Sequence, residues 1–266
     1  MDAEGNMMET GIYEGFAYVY DLFMEDVIPY GDWSKKIIRI LRKYGVKPDA
    51  TVCDLGCGTG IITKALAMEG YQMIGIDRST DMLDLAAVRS EDIEEGAEPL
   101  AVQFFRGDIR NFALYDFVDA FICTCDSINY VLEDDELFDM LDIVADYLKP
   151  GGLFIFDIKT RYTFEHILAD NTFAETVYEG SYIWENHYDP DTELNEYDLT
   201  IYSENGLDAF YRFHEYHQQR AYDEKTICEM LDMSGFEILQ MFDTDTGRKP
   251  GKKAERISFV TRTKTS

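Results

Sequence analysis

The chain has 266 residues, 46% hydrophobic and 14% aromatic, which supplies a folded core and excludes a disordered chain. Lys and Arg number 24 against 52 Asp and Glu, and the net charge of −28 argues against nucleic acid and anionic membranes as partners. No apolar run is long enough to span a bilayer, Met1 to Glu9 lacks a leader pattern, and five cysteines (Cys53, Cys57, Cys123, Cys125, Cys228) read as reduced thiols of a cytoplasmic protein with no metal site.

Residues 1–46 read as helices, with Ile37, Ile38 and Leu41 on one side of Lys35 to Tyr44. A strand at Val52-Cys53-Asp54-Leu55 runs into glycines, and a helix follows from Ile61 to Glu69. Tyr71 to Asp77 is a second strand, and Ser79 is placed to cap a helix over Thr80 to Arg89. Ala101 to Arg106 and Phe117 to Thr124 are the third and fourth strands. Asp134 to Leu148 has helical spacing and is stopped by Lys149-Pro150-Gly151-Gly152 before a fifth strand, Leu153 to Ile158. This alternation predicts a doubly wound parallel sheet covered on both faces.

The pattern changes after Thr160. Large and polar residues alternate, broken at Asp189-Pro190-Asp191 and Asn205-Gly206, and predict antiparallel strands over about 174–188, 194–203 and 208–220. A helix (Asp223 to Ser234), a strand (Phe236 to Phe242), a polar loop (Thr244 to Lys253) and a last strand (Arg256 to Arg262) resume the alternation. Residues 161–220 therefore read as an insertion, a substrate cap or a dimer face, in an α/β domain formed by 1–160 and 221–266.

The informative stretch is Asp54-Leu55-Gly56-Cys57-Gly58-Thr59-Gly60, between a strand and a helix. Glycines there permit a tight turn and close backbone approach to a ligand. An acidic residue opening that turn repels a pyrophosphate but favours an ammonium or sulfonium, which argues against a nicotinamide dinucleotide. Asp77 closes the next strand, where a carboxylate accepts two ribose hydroxyls, and Asp108 follows the third, where it can meet an adenine amino group.

These motifs, with Ile76-Asp77, Gly107-Asp108-Ile109 and Leu148 to Gly152, resemble class I S-adenosylmethionine-dependent methyltransferases over about residues 48–160 and again at the last strands. The resemblance implies a Rossmann-like seven-stranded sheet ordered 3-2-1-4-5-7-6, strand 7 antiparallel, and S-adenosylmethionine as cofactor. By it, Gly56 and Gly58 lie against the methionine part, Asp77 holds the ribose, Asp108 and the Ile109 backbone hold the adenine, and the Thr124 main chain flanks the cofactor. The antiparallel insertion is similar to that of bacterial sugar-amine N-methyltransferases. That likeness, through Val19 to Phe23 and Asp126 to Tyr130, puts Tyr20 and Tyr130 at the acceptor and Trp33 at the cofactor.

The implied activity is methyl transfer to a small molecule, an amine or a hydroxyl. A hydroxyl needs a base, for which Tyr130, Asp126, His187, His214 and His217 are candidates. Strand parity puts His214 and Tyr216 on one face and His217 on the other; each histidine is equally a strand residue satisfied by a neighbour. The aromatics Tyr178, Tyr182, Trp184, Tyr188, Tyr211 and Phe213 either line a substrate pocket or pack across strands or a dimer. A cofactor-binding regulator without chemistry, a tRNA methyltransferase with Arg248, Lys249, Lys252 and Lys253 as local RNA contacts, a protein methyltransferase, and an NAD-dependent oxidoreductase are the alternatives.

Overall fold

The computed structural model describes residues 8–9, 11–14, 16–24, 27–94, 96–204 and 209–264. A short strand, β1 (Met8–Glu9), precedes helices α1 (Ala17–Met24) and α2 (Tyr30–Lys43). The expected alternation follows as β2 (Thr51–Leu55), α3 (Ile61–Met68), β3 (Gln72–Asp77), α4 (Thr80–Glu91) and β4 (Val102–Arg106). It continues with β5 (Val118–Cys123), α5 (Asp134–Tyr147) and β6 (Leu148–Lys159). Ser79 caps α4 as expected, its hydroxyl accepting the Met82 N–H at 3.2 Å.

Strands β7 (Thr172–Val177), β8 (Gly180–Asp189), β9 (Leu194–Glu204) and β10 (Phe210–Arg220) come next, followed by α6 (Glu224–Met233), β11 (Phe236–Asp243) and β12 (Arg256–Thr263). The larger sheet runs β11-β12-β6-β5-β2-β3-β4, which is the expected order of seven strands, with β12 antiparallel to β6. Both faces are covered, so β2 is buried from Val52 to Leu55 instead of alternating. Cys53, Phe121 and Phe154 face Leu137, Leu141 and Leu231 of α5 and α6. Val52, Ile122 and Ile155 face Ile37, Leu41 and Leu66 of α2 and α3.

The second sheet runs β1-β10-β9-β8-β7. The single strand expected over 174–188 is a hairpin, β7 and β8, turning at Tyr178-Glu179 with Val177 opposite Gly180. Alternation of side chains continues straight through a two-residue turn, so the turn is silent in the pattern. The expected break at Asn205-Gly206 lies outside the described residues. Tyr182, Leu199, Ile201 and Phe213 pack on Phe16, Val19 and Phe23, which seats α1 on this sheet. Tyr188 and Tyr197 pack on Phe164 and Leu168, whereas Tyr178 and Tyr211 are exposed. No helix among the described residues is long and apolar enough to cross a membrane.

Candidate active site

The carboxyl ends of β2, β3 and β5 open on a cavity of about 480 Å³, where ligands of open α/β sheets bind. Gly56 and Gly58 turn the chain there with φ of +71° and +53°, a region that costs a side chain about 1–2 kcal/mol. A Cβ at Gly56 would lie 2.5 Å from Ser127 Oγ, whereas one at Gly58 would meet open space. Asp77 fixes the turn: its carboxylate accepts the Gly58 and Ser79 N–H groups, each at 2.9 Å. Burial raises the Asp77 carboxyl above its ordinary value, and those two N–H groups oppose the rise.

Asp54 Oδ2 accepts the Thr63 hydroxyl at 2.6 Å, while its buried Oδ1 has no partner among the described residues. Burial pushes this carboxyl up to about 7, against the Thr63 hydrogen bond and with help from the Asp77 charge. Asp21 of α1 accepts the Thr59 hydroxyl at 2.6 Å and pairs with Arg89, tying the first helix to the glycine turn.

Tyr20, Asp54, Gly56, Gly58, Asp77, Asp108, Ile109, Thr124 and Tyr130 all line the cavity. Trp33 is not among the lining residues; it is buried with the Arg256 guanidinium 5.2 Å over its ring. Asp108 is held below the usual carboxylate range by Arg110, whose Nη2 lies 2.7 Å away and whose Nη1 also binds Glu136 at 3.0 Å.

Asp126 is buried outside the lining, where Lys159 Nζ (3.0 Å) and Arg256 Nη2 (2.5 Å) hold it. Burial works against its charge, but these two cations win and keep the carboxyl at about 2. It stands as an anchor: Cys125 and Asp126 are both left-handed (φ +58° and +56°), and Asp157 accepts both of their N–H groups at 3.1 and 2.8 Å. This bend aims the following 3₁₀ turn, Ser127–Tyr130, at the cavity. His187 and His214 pair instead with Asp170 and Asp198 at the surface.

One part of the cavity is a cluster of phenols from four places in the chain: the segment before α1, α1 itself, the start of α2 and the 3₁₀ turn. Tyr13, Tyr20, Tyr30 and Tyr130 line it together. Tyr13 and Tyr130 hydroxyls meet at 2.9 Å, and burial raises all four phenols above their ordinary value. Tyr13 and Glu215 were not singled out by the sequence motifs. Glu215 carried a signal nonetheless, being an acid in phase with the apolar Phe213 on a strand that alternates. Of the six aromatics singled out in the insertion, Tyr182, Trp184, Tyr188 and Phe213 pack against helices and across strands, while Tyr178 and Tyr211 are exposed; the lining residues that β10 contributes are Tyr216 and Gln218.

The family model of a methyltransferase domain matches residues 52–152, which run from β2 and the glycine turn into the start of β6. A provisionally named methyltransferase, YqeM, of Bacillus subtilis (strain 168) is 32% identical over 249 residues, 93% of this chain and 96% of its own. The crystal structure of an S-adenosylmethionine-dependent methyltransferase from Clostridium acetobutylicum ATCC 824 superposes with a TM-score of 0.82 at 30% identity, covering 94% of this chain and 98% of that one. The sugar N-methyltransferase KedS8 from Streptoalloteichus sp ATCC 53650 shares the fold at 18% identity and a TM-score of 0.72, covering 92% and 93%. Full-length likeness at this level, on a fold whose glycine turn and two strand-end aspartates face one cavity, makes this chain a member of the S-adenosylmethionine-dependent methyltransferases.

Proposed function

We propose that the enzyme methylates a small neutral or amine-bearing molecule, through an amine or hydroxyl group held among the tyrosines. The carrying observation is the acceptor end itself: four phenols line it, Tyr30 buried and the other three half-buried, and of the two arginines that line the cavity, Arg78 and Arg110, the second is already paired with Asp108 and Glu136. Neutral hydroxyls suit a neutral or cationic acceptor, whereas a polyanion would find little counter-charge. The fold shared with a sugar N-methyltransferase puts small amines first in a screen.

The cavity fits the cofactor. Its unpartnered Asp54 Oδ1 offers a buried acceptor to a cation, and the space over Gly58 admits a ligand against bare backbone. When bound, S-adenosylmethionine supplies a methyl on a cationic sulfur, so the leaving group is neutral. In this reading Asp54, Gly56 and Gly58 hold the methionine part, Asp77 the ribose, Asp108 and Ile109 the adenine, and Thr124 flanks it. Tyr20 and Tyr130 orient the acceptor, and Trp33 acts at one remove by backing Arg256. The chain's main tasks are orientation and exclusion of water.

The test is calorimetry with S-adenosylmethionine and S-adenosylhomocysteine, then transfer of a labelled methyl to amines, amino sugars, phenols and alcohols. Methylation confined to RNA or phosphorylated compounds would overturn the acceptor reading.

Asp77→Ala removes a carboxylate that serves both the ribose and the Gly58 N–H. Losing charged hydrogen bonds costs about 1.5–3 kcal/mol, roughly ten- to a hundredfold in cofactor affinity. An unchanged dissociation constant would place the ribose elsewhere.

Asp54 gives that affinity a pH dependence. A cationic ligand favours the ionised carboxyl, which burial has raised to about 7, so affinity climbs as pH rises through that value and then levels off. Below it, binding releases a proton. In the free protein the sign is opposite: the raised pKa supports the fold at low pH, and that support is lost as pH rises through about 7. Calorimetry in buffers of different ionisation enthalpy reads the proton, and Asp54→Asn should flatten the profile.

A further inference from the structure

Behind Tyr130 stand two residues of β10 outside the cavity lining. Glu215 and His217 face the buried side of the strand, with side chains 0% and 3% exposed. The Glu215 carboxylate accepts the backbone N–H of Tyr13 and of Phe16, each at 2.8 Å. His217 Nε2 lies 2.9 Å from the same carboxylate. An imidazole that donates from Nε2 keeps Nδ1 as a lone pair. That lone pair sits 3.0 Å from Tyr130 Oη, so the Tyr130 hydroxyl donates to it. A phenol oxygen also accepts twice. The Tyr13 hydroxyl fills one position at 2.9 Å, which leaves one for a group in the cavity.

We infer that Tyr130, His217 and Glu215 form a proton path out of the acceptor site, so that the acceptor is a group that must lose a proton on methylation, a hydroxyl or an ammonium. The inference rests on the acceptor end proposed above. The acceptor's electron pair forms the new bond to the methyl carbon, and the carbon–sulfur pair stays on sulfur. A hydroxyl's O–H bond breaks with its pair remaining on oxygen, whereas an ammonium's N–H bond breaks first and the pair it releases is the one that forms the bond to the methyl carbon. That proton passes to Tyr130 Oη while the Tyr130 proton passes to His217 Nδ1. The positive charge that began on sulfur ends on an imidazolium facing Glu215.

Because burial raises the Tyr130 phenol well above its ordinary value, the hydroxyl relays and does not rest as a phenolate. Tyr130 is the residue placed to touch the acceptor; His217 and Glu215 act through it and are positioning residues. Around the imidazole stand Glu215 on its own strand, Tyr197 of β9 with ring centroids 6.2 Å apart, and Tyr13 at 5.1 Å. Beyond Tyr197, Lys159 and Asp126 pair with each other at 3.0 Å.

The tautomer is read by ¹⁵N NMR on the full chain with S-adenosylhomocysteine as the probe; with four histidines, single substitutions assign the signals. The expected result is a protonated Nε2 and a bare Nδ1 on His217, with the Nδ1 signal moved by Tyr130→Phe. A proton resident on Nδ1 of the neutral ring would overturn the path.

Kinetics with the acceptor found in the screen give a second readout. Wild-type kcat should rise with pH as the imidazole loses its proton. His217→Gln should lower kcat by about a hundred- to a thousandfold and remove that limb, with KM for S-adenosylmethionine within about twofold. Glu215→Gln should move the limb to lower pH, because the imidazolium loses its counter-charge. A pH profile that His217→Gln scales down without changing its shape would also overturn the path. A faulty path still leaves a small amine or hydroxyl compound methylated in the screen, whereas a faulty acceptor reading confines methylation to RNA or phosphorylated compounds, so the two failures are told apart.

Discussion

Gly58→Val is expected to abolish S-adenosylmethionine binding while the chain still folds. A Cβ at this position meets no protein atom within 4 Å, so the valine side chain projects into the cavity that the ligand needs. The φ of +53° adds a penalty, about 1–2 kcal/mol for any side chain and more for a β-branched one. Strain and occlusion separate by comparison with Gly45→Val. Gly45 has φ of +89°, also meets open space and lies away from the cavity, at the end of α2. It should lose stability and keep its affinity. Calorimetry and thermal melts on both variants check this. Wild-type affinity in Gly58→Val would remove the glycine turn from the binding site.

Arg256→Met should destabilise the fold by about 3–5 kcal/mol, the cost of breaking a buried charge network by removing one partner. Arg256 bridges Asp157 Nη1-to-Oδ1 at 2.7 Å and Asp126 at 2.5 Å, and its side chain is 14% exposed. Without it two carboxylates face each other in the interior with Lys159 as the remaining cation. Burial already raises the Asp157 carboxyl, with Arg256 holding it down, so in the variant Asp157 takes up a proton more readily. The deficit should therefore shrink as pH falls. Urea unfolding at several pH values measures it. The damage reaches the site as well, since Asp157 pins the left-handed pair that aims Tyr130. A loss below about 1 kcal/mol, the worth of a surface ion pair, would show that water reaches the network.

Local chemistry made much of this legible. Ser79 announces its cap, Gly56 and Gly58 their turn, and the strand-end aspartates their cavity, because each rests on a few adjacent residues. The sheet order came from the resemblance, since strand alternation alone does not rank strands. What stayed hidden depends on residues far apart in the chain. Nothing near Glu215 indicates that its carboxylate will hold the backbone of Tyr13 and Phe16. Asp126 read as a candidate base because Arg256 lies 130 residues away. The resemblance put Trp33 at the cofactor, whereas its ring is covered by the Arg256 guanidinium, which arrives with the last strand. The β7–β8 turn was missed for a different cause, as Tyr178 and Glu179 turn the chain without Asn or a left-handed residue to mark them.

The bond between Tyr13 and Glu215 also sets a clock on synthesis. Its partners are 202 residues apart, and at about 5–20 residues per second a ribosome needs roughly 10–40 s to cover that distance. For all of that time the N-terminal segment has no β10 to lie on and Tyr13 no carboxylate to hold its backbone. The glycine turn and its neighbouring strands, complete by Cys123, emerge well before. The nascent chain therefore makes the glycine-turn side of its cavity first, and the side lined by Tyr13 waits for the inserted sheet.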